Sequence, residues 1–389
     1  METRVALIAS TSRMSSGSSW SLFRLAVSLK KKGVMVIIIL PEQGDIEEKL
    51  KKERLKYYVI RQYSGNFWCI SNKVNIKGIK FKGKYGIKKI WNQIAQLKIE
   101  KILRKEKINI VHMNTLTCHI AAKASVKLNI CLIWHIREFL EEDLGIHLFH
   151  KNESYDLIRK SERIIAVSKA IKSKYKENFS NVQVVYNGVS CDRFFSNREI
   201  LQNETIEMIL IGRIVKEKGQ YDLVQAINML HHDIKNKLHC NLVGNIEDQQ
   251  YYEEIVEYIK RNHLEGKIHF AEYTDNIEKY LLKADVLCSC SKKEAFGRVT
   301  VEGMLAKCLV IGSNTGATEE IITHRKTGLL YEYGKAESLK KCIKYIFDNR
   351  EQARYIASMG QKEAKEKYTD EMNAAEILKI YEEVLKNRH

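Results

Sequence analysis

Proline is nearly missing from this sequence: Pro41 is the single one in 389 residues. That excludes proline-rich extended structure and collagen-like repeats. Long apolar runs are missing too. Stretches such as 34–40, Val-Met-Val-Ile-Ile-Ile-Leu, stop at strand length, far short of the roughly 20 residues a spanning helix needs. A strand-like run begins at Val5 with no basic-then-apolar leader before it, so a cytoplasmic chain is expected. The 9 cysteines are odd in number and scattered, without Cys-x-x-Cys or the histidine spacing of a zinc site. Reduced, buried thiols and no metal centre are the expectation. No repeat of solenoid length occurs.

What is present is a globular composition with an excess of base. Hydrophobic residues make up 44%, which excludes wholesale disorder, and the length suits two domains that each bury a core. Lys+Arg 65 against Asp+Glu 48 leaves a net charge of +17. That charge suits nucleic acid, an anionic membrane surface or a phosphorylated ligand equally well. No nucleic-acid module or aromatic stacking motif accompanies it, so nucleic acid is the weakest of the three.

Short Ile/Val-rich runs alternate with helical patterns. Runs at 5–9, 34–40, 108–113, 130–135, 163–167 and 182–186 interleave with helices such as 18–32 and 118–128. After a polar, irregular stretch at 190–205 the beat resumes with runs at 208–212, 239–243, 267–271, 286–289 and 309–312, separated by helices such as 218–230 and 249–262. This rhythm predicts an α/β protein of two doubly wound parallel sheets. Beyond about residue 335 it predicts continuous helix. Open parallel sheets bind ligands at the carboxyl ends of their strands, so the residues just after each run are the ones to read for chemistry.

Two such places stand out in the second half. Ser291-Lys-Lys-Glu294-Ala295-Phe296-Gly297-Arg298-Val299 follows the run at 286–289, and a helix containing Glu302 starts near Arg298. Free N–H groups at such a turn and helix start favour phosphate, and the carboxylates could accept hydrogen bonds from sugar and ribose hydroxyls. Gly212-Arg213 and Lys218-Gly219 follow the run at 208–212, where two cations suit a diphosphate. Each alone would pass for ordinary surface charge.

Together they resemble the retaining glycosyltransferases of family 4, glycosyl transferases group 1. That family's Glu-x7-Glu hallmark stands here as Glu294 and Glu302, and its Gly-Arg-x4-Lys-Gly element as Gly212, Arg213, Lys218 and Gly219. Further matches run from Ala166 to Ala170, from Val185 to Val189 and from Gly312 to Glu319. The resemblance implies the GT-B architecture: two Rossmann-like domains facing a central cleft, with the last helix crossing back to the first domain. It sets the domains at 1–190 for the acceptor, 191–366 for the donor and 367–389 for the returning helix. It implies catalytic roles for His135, Arg213, Lys218 and Glu294. Donor binding falls to Gly17, Gly212, Ala295, Phe296, Gly297, Arg298, Val299 and Glu302. No cofactor and no metal are implied, since the nucleotide sugar is a substrate.

In the first half, Gly17 lies in the serine-rich turn 15–19 after the first strand. His135 ends another strand with Arg137 and Glu138 beside it, and His112 and Asn114 end a third. The segment Gly78 to Tyr85 has a superficial likeness to a phosphate-binding loop but lacks its Ser/Thr and its preceding strand. No Gly-x-Gly-x-x-Gly follows the first strand, against a dinucleotide dehydrogenase. From about Tyr85 a helix carries Ile87, Ile90, Trp91, Ile94 and Leu97 in one stripe, with ten basic residues over 80–107 and only Glu100 and Glu106 as acids. The stripe packs on the first domain's sheet, or the segment meets an anionic membrane at the inner face of the cell membrane, or both hold, with the stripe buried and the lysines facing lipid.

The expected activity is transfer of a sugar from a nucleoside diphosphate sugar, UDP by preference, to a hydroxyl of a saccharide acceptor, lipid-linked, in surface polysaccharide synthesis. The alternatives are a catalytically silent nucleotide-sugar binder and a nucleic-acid-binding protein.

Overall fold

The computed structural model describes residues 2–63, 67–69, 77–142, 146–148, 151–271, 274 and 276–388, with 67–69, 77–87 and 146–147 described by backbone alone. Two compact units divide it. One comprises Met1–Gly188 with Asp370–His389, and the other Val189–Thr369.

In the first unit, strands β1 (Arg4–Ile8), β2 (Met35–Leu40), β3 (Lys56–Val59), β4 (Phe67–Cys69), β5 (Ile110–Met113), β6 (Cys131–Ile136), β7 (Ile146–Leu148), β8 (Arg163–Ala166) and β9 (Val182–Val184) occur in that order. All but β4 and β7 form one sheet in the order β3-β2-β1-β5-β6-β8-β9, parallel throughout; β4 and β7 pair antiparallel to each other. The runs of Ile and Val suit it because helices cover both faces of a parallel sheet, so successive side chains are buried whichever way they point. Ile37, Ile38 and Ile39 are all buried.

The second unit holds β10 (Ile206–Ile211), β11 (Leu238–Val243), β12 (Ile268–Ala271), β13 (Val286–Ser289), β14 (Leu309–Ser313) and β15 (Leu329–Tyr331). They form a parallel sheet in the order β12-β11-β10-β13-β14-β15. Both sheets therefore step outward from their first strand in one direction and then reverse, which makes each unit a Rossmann-like doubly wound fold.

The helical tail departs from expectation. Instead of one continuous helix, residues beyond 335 form Ala336–Asp348, Arg350–Lys367 and Asp370–Lys386. Asn349, at φ −138° and ψ 52°, separates the first two, and Tyr368 ends the second. The first two helices belong to the second unit. The last belongs to the first, where Ala374, Ile377, Ile380, Tyr381 and Val384 recur at helical spacing and join the core with Leu22, Leu25 and Leu29 of helix Gly17–Lys31. Gly188 and Asp370 meet where the chain leaves and re-enters this unit. A Cβ on Gly188 would lie 2.6 Å from the Asp370 Cα, so only glycine fits there.

The basic helix also differs from expectation. It begins at Lys77 and ends at Lys105. Its packed face is Ala95, Ile99 and Leu103, all buried, while Ile90, Trp91, Ile94 and Leu97 are 60%, 49%, 39% and 60% exposed. The stripe is thus not what holds this helix to its unit. The Ile87 side chain lies outside the described residues. Of the cysteines read as buried thiols, Cys131, Cys240, Cys288 and Cys290 are indeed buried and free.

Candidate active site

In the second unit the strand order reverses between β10 and β13, and the loops after these two strands flank the crevice at their carboxyl ends. The loop after β10 runs through Gly212 and Arg213 into a short 3-10 turn, Lys216–Lys218, then helix Gln220–Asn228. The loop after β13 runs through Ser291 and Glu294 into helix Arg298–Leu305, whose N-cap is Gly297 at φ 83°. Gly219 lets the two loops touch. It sits at φ 68°, and a Cβ there would fall 2.3 Å from the Cys290 carbonyl oxygen. The backbone N–H of Lys292 donates to the Glu217 carbonyl at 2.7 Å, a second tie between them.

This closeness brings Lys218 onto Glu294. The Lys218 ammonium lies 2.6 Å from Glu294 Oε1, which also accepts from the Ser291 hydroxyl at 2.6 Å. Both side chains of the ion pair are about one-fifth exposed. Burial pushes the Glu294 carboxyl up, but the Lys218 charge, hydrogen bonds from Lys218 and Ser291, and the Arg213 charge outweigh it and hold the carboxyl below its ordinary value. The loop after β14 supports Glu294 from behind. The Ala317 N–H donates to the Glu294 carbonyl at 2.9 Å, and Gly316 at φ 59° has no room for a Cβ beside the Glu294 backbone.

Arg213 is turned to Glu247 at 2.8 Å in a pair that is nearly half exposed. Its carbonyl accepts from Gln220 Nε2 at 2.8 Å, which fixes its backbone. Gly212 packs against the Lys218 stem. Ala295 in the loop after β13 and Val299 in the first turn of the helix are half-buried, and Phe296 is buried with its ring edge-on to Tyr368. Arg298 pairs with Glu302 one turn on, at 3.0 Å. Glu302 is almost wholly buried, and its Oε2 has no hydrogen-bond partner among the described residues. Burial raises its carboxyl above the usual range against the pull of Arg298 and Arg193.

The first unit holds a second cluster, on β5, β6 and the last helix. His135 and His112 are neighbours on β6 and β5, with His135 Nδ1 3.2 Å from His112 Nε2 and 3.0 Å from Arg137 Nη2. His112 Nδ1 meets the Tyr381 hydroxyl at 2.7 Å. Arg137 also donates to Asn114 at 2.9 Å and to Asn187. Glu138 accepts from the Leu116 N–H at 2.7 Å and the Arg137 N–H at 3.0 Å. Burial, with the charge of Arg137, lowers His112 to about 3 and His135 well below its usual value, so both rings are neutral at physiological pH. Burial likewise brings Arg137 down to about 9.

A guanidinium only donates, so His135 Nδ1 accepts and its proton is on Nε2. His112 Nε2–H then donates to the same Nδ1, and the Tyr381 hydroxyl donates to His112 Nδ1. His135 Nε2 is left as a buried donor with no partner among the described residues.

Gly17 opens helix Gly17–Lys31, with Ser16 at the N-cap position making no side-chain capping bond. A Cβ there would meet nothing within 4 Å, so the protein's own packing does not require the glycine.

The structure thus joins Lys218, Glu294 and Gly212 in one cluster, which also holds Ser291. It joins His135 to Arg137, and it pairs Arg213 with Glu247 while the Arg213 charge still acts on Glu294. Ser291 lay inside the motif without a role. Tyr381 is 269 residues from His112 in sequence and carries no local signal. Among the described residues no three His, Cys, Asp or Glu side chains group to hold a metal ion.

Residues 15–193 match the family described as Glycosyltransferase Family 4, and residues 192–363 the family described as Glycosyl transferases group 1. An uncharacterized glycosyltransferase of Methanocaldococcus jannaschii is 32% identical over 232 residues, 58% of this chain and 60% of the relative. The N-acetyl-alpha-D-glucosaminyl L-malate synthase of Bacillus anthracis is 26% identical over 241 residues, 59% of this chain and 62% of the relative. The chain thus spans about three-fifths of the length of these curated relatives. The HepE protein of Anabaena, crystallised with UDP, matches with a TM-score of 0.80 at 18% identity, over 98% of this chain and 100% of that one, a likeness of fold. From residue 15 to residue 363 the chain thus matches two glycosyltransferase domain families in succession, on two Rossmann-like units whose fold is that of GT-B structures.

Proposed function

We propose that the protein transfers a sugar from a UDP-sugar to a hydroxyl of a saccharide acceptor, with the anomeric configuration retained and no metal ion in the chemical step. The observation that carries this reading is Lys218, paired with Glu294 at the reversal of the second sheet and just ahead of the N-terminus of helix Arg298–Leu305. In the reaction the bond from the anomeric carbon to the diphosphate breaks, and its electrons stay on the diphosphate oxygen. The acceptor oxygen bonds to the anomeric carbon on the same face, and its proton passes to the departing phosphate. Negative charge grows on the diphosphate, and a fixed ammonium with the helix N–H groups offsets it best where water is scarce. Arg213 adds its charge once it swings from Glu247.

Glu294 holds the ammonium in place and offers its carboxylate to a sugar hydroxyl. Glu302 Oε2, an acceptor without a donor, suits a ribose diol. His135 Nε2–H suits a sugar oxygen, and the open space at Gly17 leaves room for a ligand to approach the backbone. UDP follows the nucleotide named for the HepE structure. A lipid-linked acceptor in surface polysaccharide synthesis follows the family resemblance.

The test is donor hydrolysis across a panel of UDP-, GDP- and ADP-sugars. One UDP-sugar is expected to be cleaved with its product sugar released first as the retained anomer. Cleavage of none, or the inverted anomer, would overturn the reading.

A further inference from the structure

Helix Lys77–Lys105 has two apolar faces. Ala95, Ile99 and Leu103 follow one another at i+4 and are 2%, 0% and 0% exposed. They anchor the helix to its unit beside helix Ile120–Lys127, and a buried carboxylate reinforces the contact: Glu100 accepts from Lys127 at 2.9 Å. Asn92 exchanges two hydrogen bonds with the Tyr63 backbone at 2.8 and 2.9 Å, which fixes the helix further along its length. Ile90, Ile94 and Leu97 recur at i, i+4 and i+7, with Trp91 one i+3 step from Ile94. At about 100° per residue Ile90, Ile94 and Leu97 lie nearly opposite the first face, with Trp91 on the flank between the two. This second face is the exposed one, and four large apolar side chains side by side make a patch that a soluble surface rarely shows without a use.

The charge around the patch is of one sign. Residues 77–107 hold eleven Lys and Arg against Glu100 and Glu106. Both acids are buried and each is paired with a lysine from outside the segment, Glu100 with Lys127 and Glu106 with Lys56 at 2.6 Å. Neither offsets the exposed charge. Lys98 and Lys101, both exposed, sit four residues after Ile94 and Leu97, so they continue the apolar stripe by one turn. Such lysines lay their stems along an apolar layer and keep the ammonium at its edge. Lys89, Arg104 and Lys105 are exposed as well.

We propose that this face docks the protein onto an anionic lipid surface, with Ile90, Trp91, Ile94 and Leu97 entering the headgroup boundary and the surrounding lysines meeting lipid phosphates. Apolar insertion and phosphate attraction on one helix are the two terms that peripheral binding to such a surface needs. A nucleic acid would use the lysines and leave the four apolar side chains in water. A second copy of the chain would bring eleven more cations against these. Among the described residues no helix is long and apolar enough to cross a membrane, so the docking is peripheral. The proposal does not depend on the donor chemistry.

The test is flotation of the full chain with vesicles of phosphatidylcholine alone and of phosphatidylcholine with phosphatidylglycerol. The wild type is compared with I90E/L97E and with K98Q/K101Q. These positions are exposed and outside the donor cluster, so unchanged melting and donor hydrolysis certify both variants as folded. The wild type should float with the anionic vesicles only, and salt should release it. I90E/L97E should bind at least about tenfold more weakly, and K98Q/K101Q should be more readily released by salt. Three results would overturn the proposal: equal binding to both vesicle types, binding unaffected by I90E/L97E, or a dimer that I90E/L97E splits without any flotation. Duplex DNA binding that survives I90E/L97E, with no flotation, would overturn it too.

Discussion

Arg137 Nη2 lies 3.0 Å from His135 Nδ1, and this contact decides which hydrogen His135 carries. Because the guanidinium only donates, the buried ring carries its hydrogen on Nε2 and leaves Nδ1 bare, with His112 and Tyr381 completing the chain behind Nδ1. Removing the Tyr381 hydroxyl leaves His112 Nδ1 without its donor. Tyr381→Phe should therefore cost about 1 kcal/mol of stability and lower kcat several-fold with little change in donor KM. His135→Ala, which removes the donor itself, should lower kcat far more. An unfolding curve and steady-state kinetics on both variants check this. Equal kinetics for His135→Ala and wild type would remove His135 from the reaction.

Glu302 should act on binding. Its buried Oε2 awaits a donor, so Glu302→Ala should raise the donor KM by about ten- to a hundredfold, the worth of one or two charge-assisted hydrogen bonds, while kcat changes less. The pH sign follows from its raised carboxyl. Between the ordinary value near 4.5 and its raised value, the folded state holds a proton that the unfolded state has lost. Glu302 thus takes stability away as pH rises through that window, and Glu302→Gln should flatten the loss in a series of melts.

Two glycines should respond in opposite ways. Gly219→Ala places a methyl against the Cys290 carbonyl at a positive φ, so the loops carrying Lys218 and Glu294 must part. A loss of about 2–4 kcal/mol is expected, with activity falling in step. Gly17→Ala meets no protein atom within 4 Å and removes a glycine from a helix start. Its melting temperature should hold or rise slightly while donor affinity falls. Melts paired with donor binding distinguish the two.

The buried histidines set an acid limit on stability. His119 is lowered to about 4 and His112 to about 3, both chiefly by burial. Each is neutral in both states above pH 6.5, so neither costs anything there. Below pH 6.5 the unfolded chain takes up protons that the folded one refuses, and stability falls as pH drops toward these values. His119 stands at the N-cap position of helix Ile120–Lys127 without a side-chain capping bond, and it belongs to the first unit, whereas the donor cluster belongs to the second. His119→Asn places a residue favoured at N-cap positions there and should reduce the acid slope of the melting temperature with activity unchanged.

The sheets were legible because parallel strands buried on both faces leave solid Ile and Val runs, and Glu294 was legible because it directly follows one. The short strands β3 and β15 carry no such run. Lys56 and Val59 of β3 are exposed, and β15 has three residues. The break at Asn349 has no proline or glycine to mark it. The basic helix misled for a physical reason: with apolar residues on two opposite sides, the sequence does not say which side the protein takes, and the less conspicuous Ala95, Ile99 and Leu103 won. Arg213 reads as a diphosphate ligand from its spacing, and its ion pair with Glu247, 34 residues on, carries no local signal. The partnership of Tyr381 with His112 arises only when the last helix enters the first unit's core.

The central claim is that the Lys218 ammonium, held by Glu294, offsets the charge that grows on the departing diphosphate. The direct measurement is the rate of UDP release at saturating donor for wild type and Lys218→Ala, with the UDP dissociation constant measured on both. A loss of one such electrostatic partner is worth about 10²–10³ in kcat. The account predicts a fall of that order in Lys218→Ala, with a much smaller loss of UDP affinity. A wild-type kcat in Lys218→Ala, or a loss of UDP affinity that accounts for the whole effect, would contradict it.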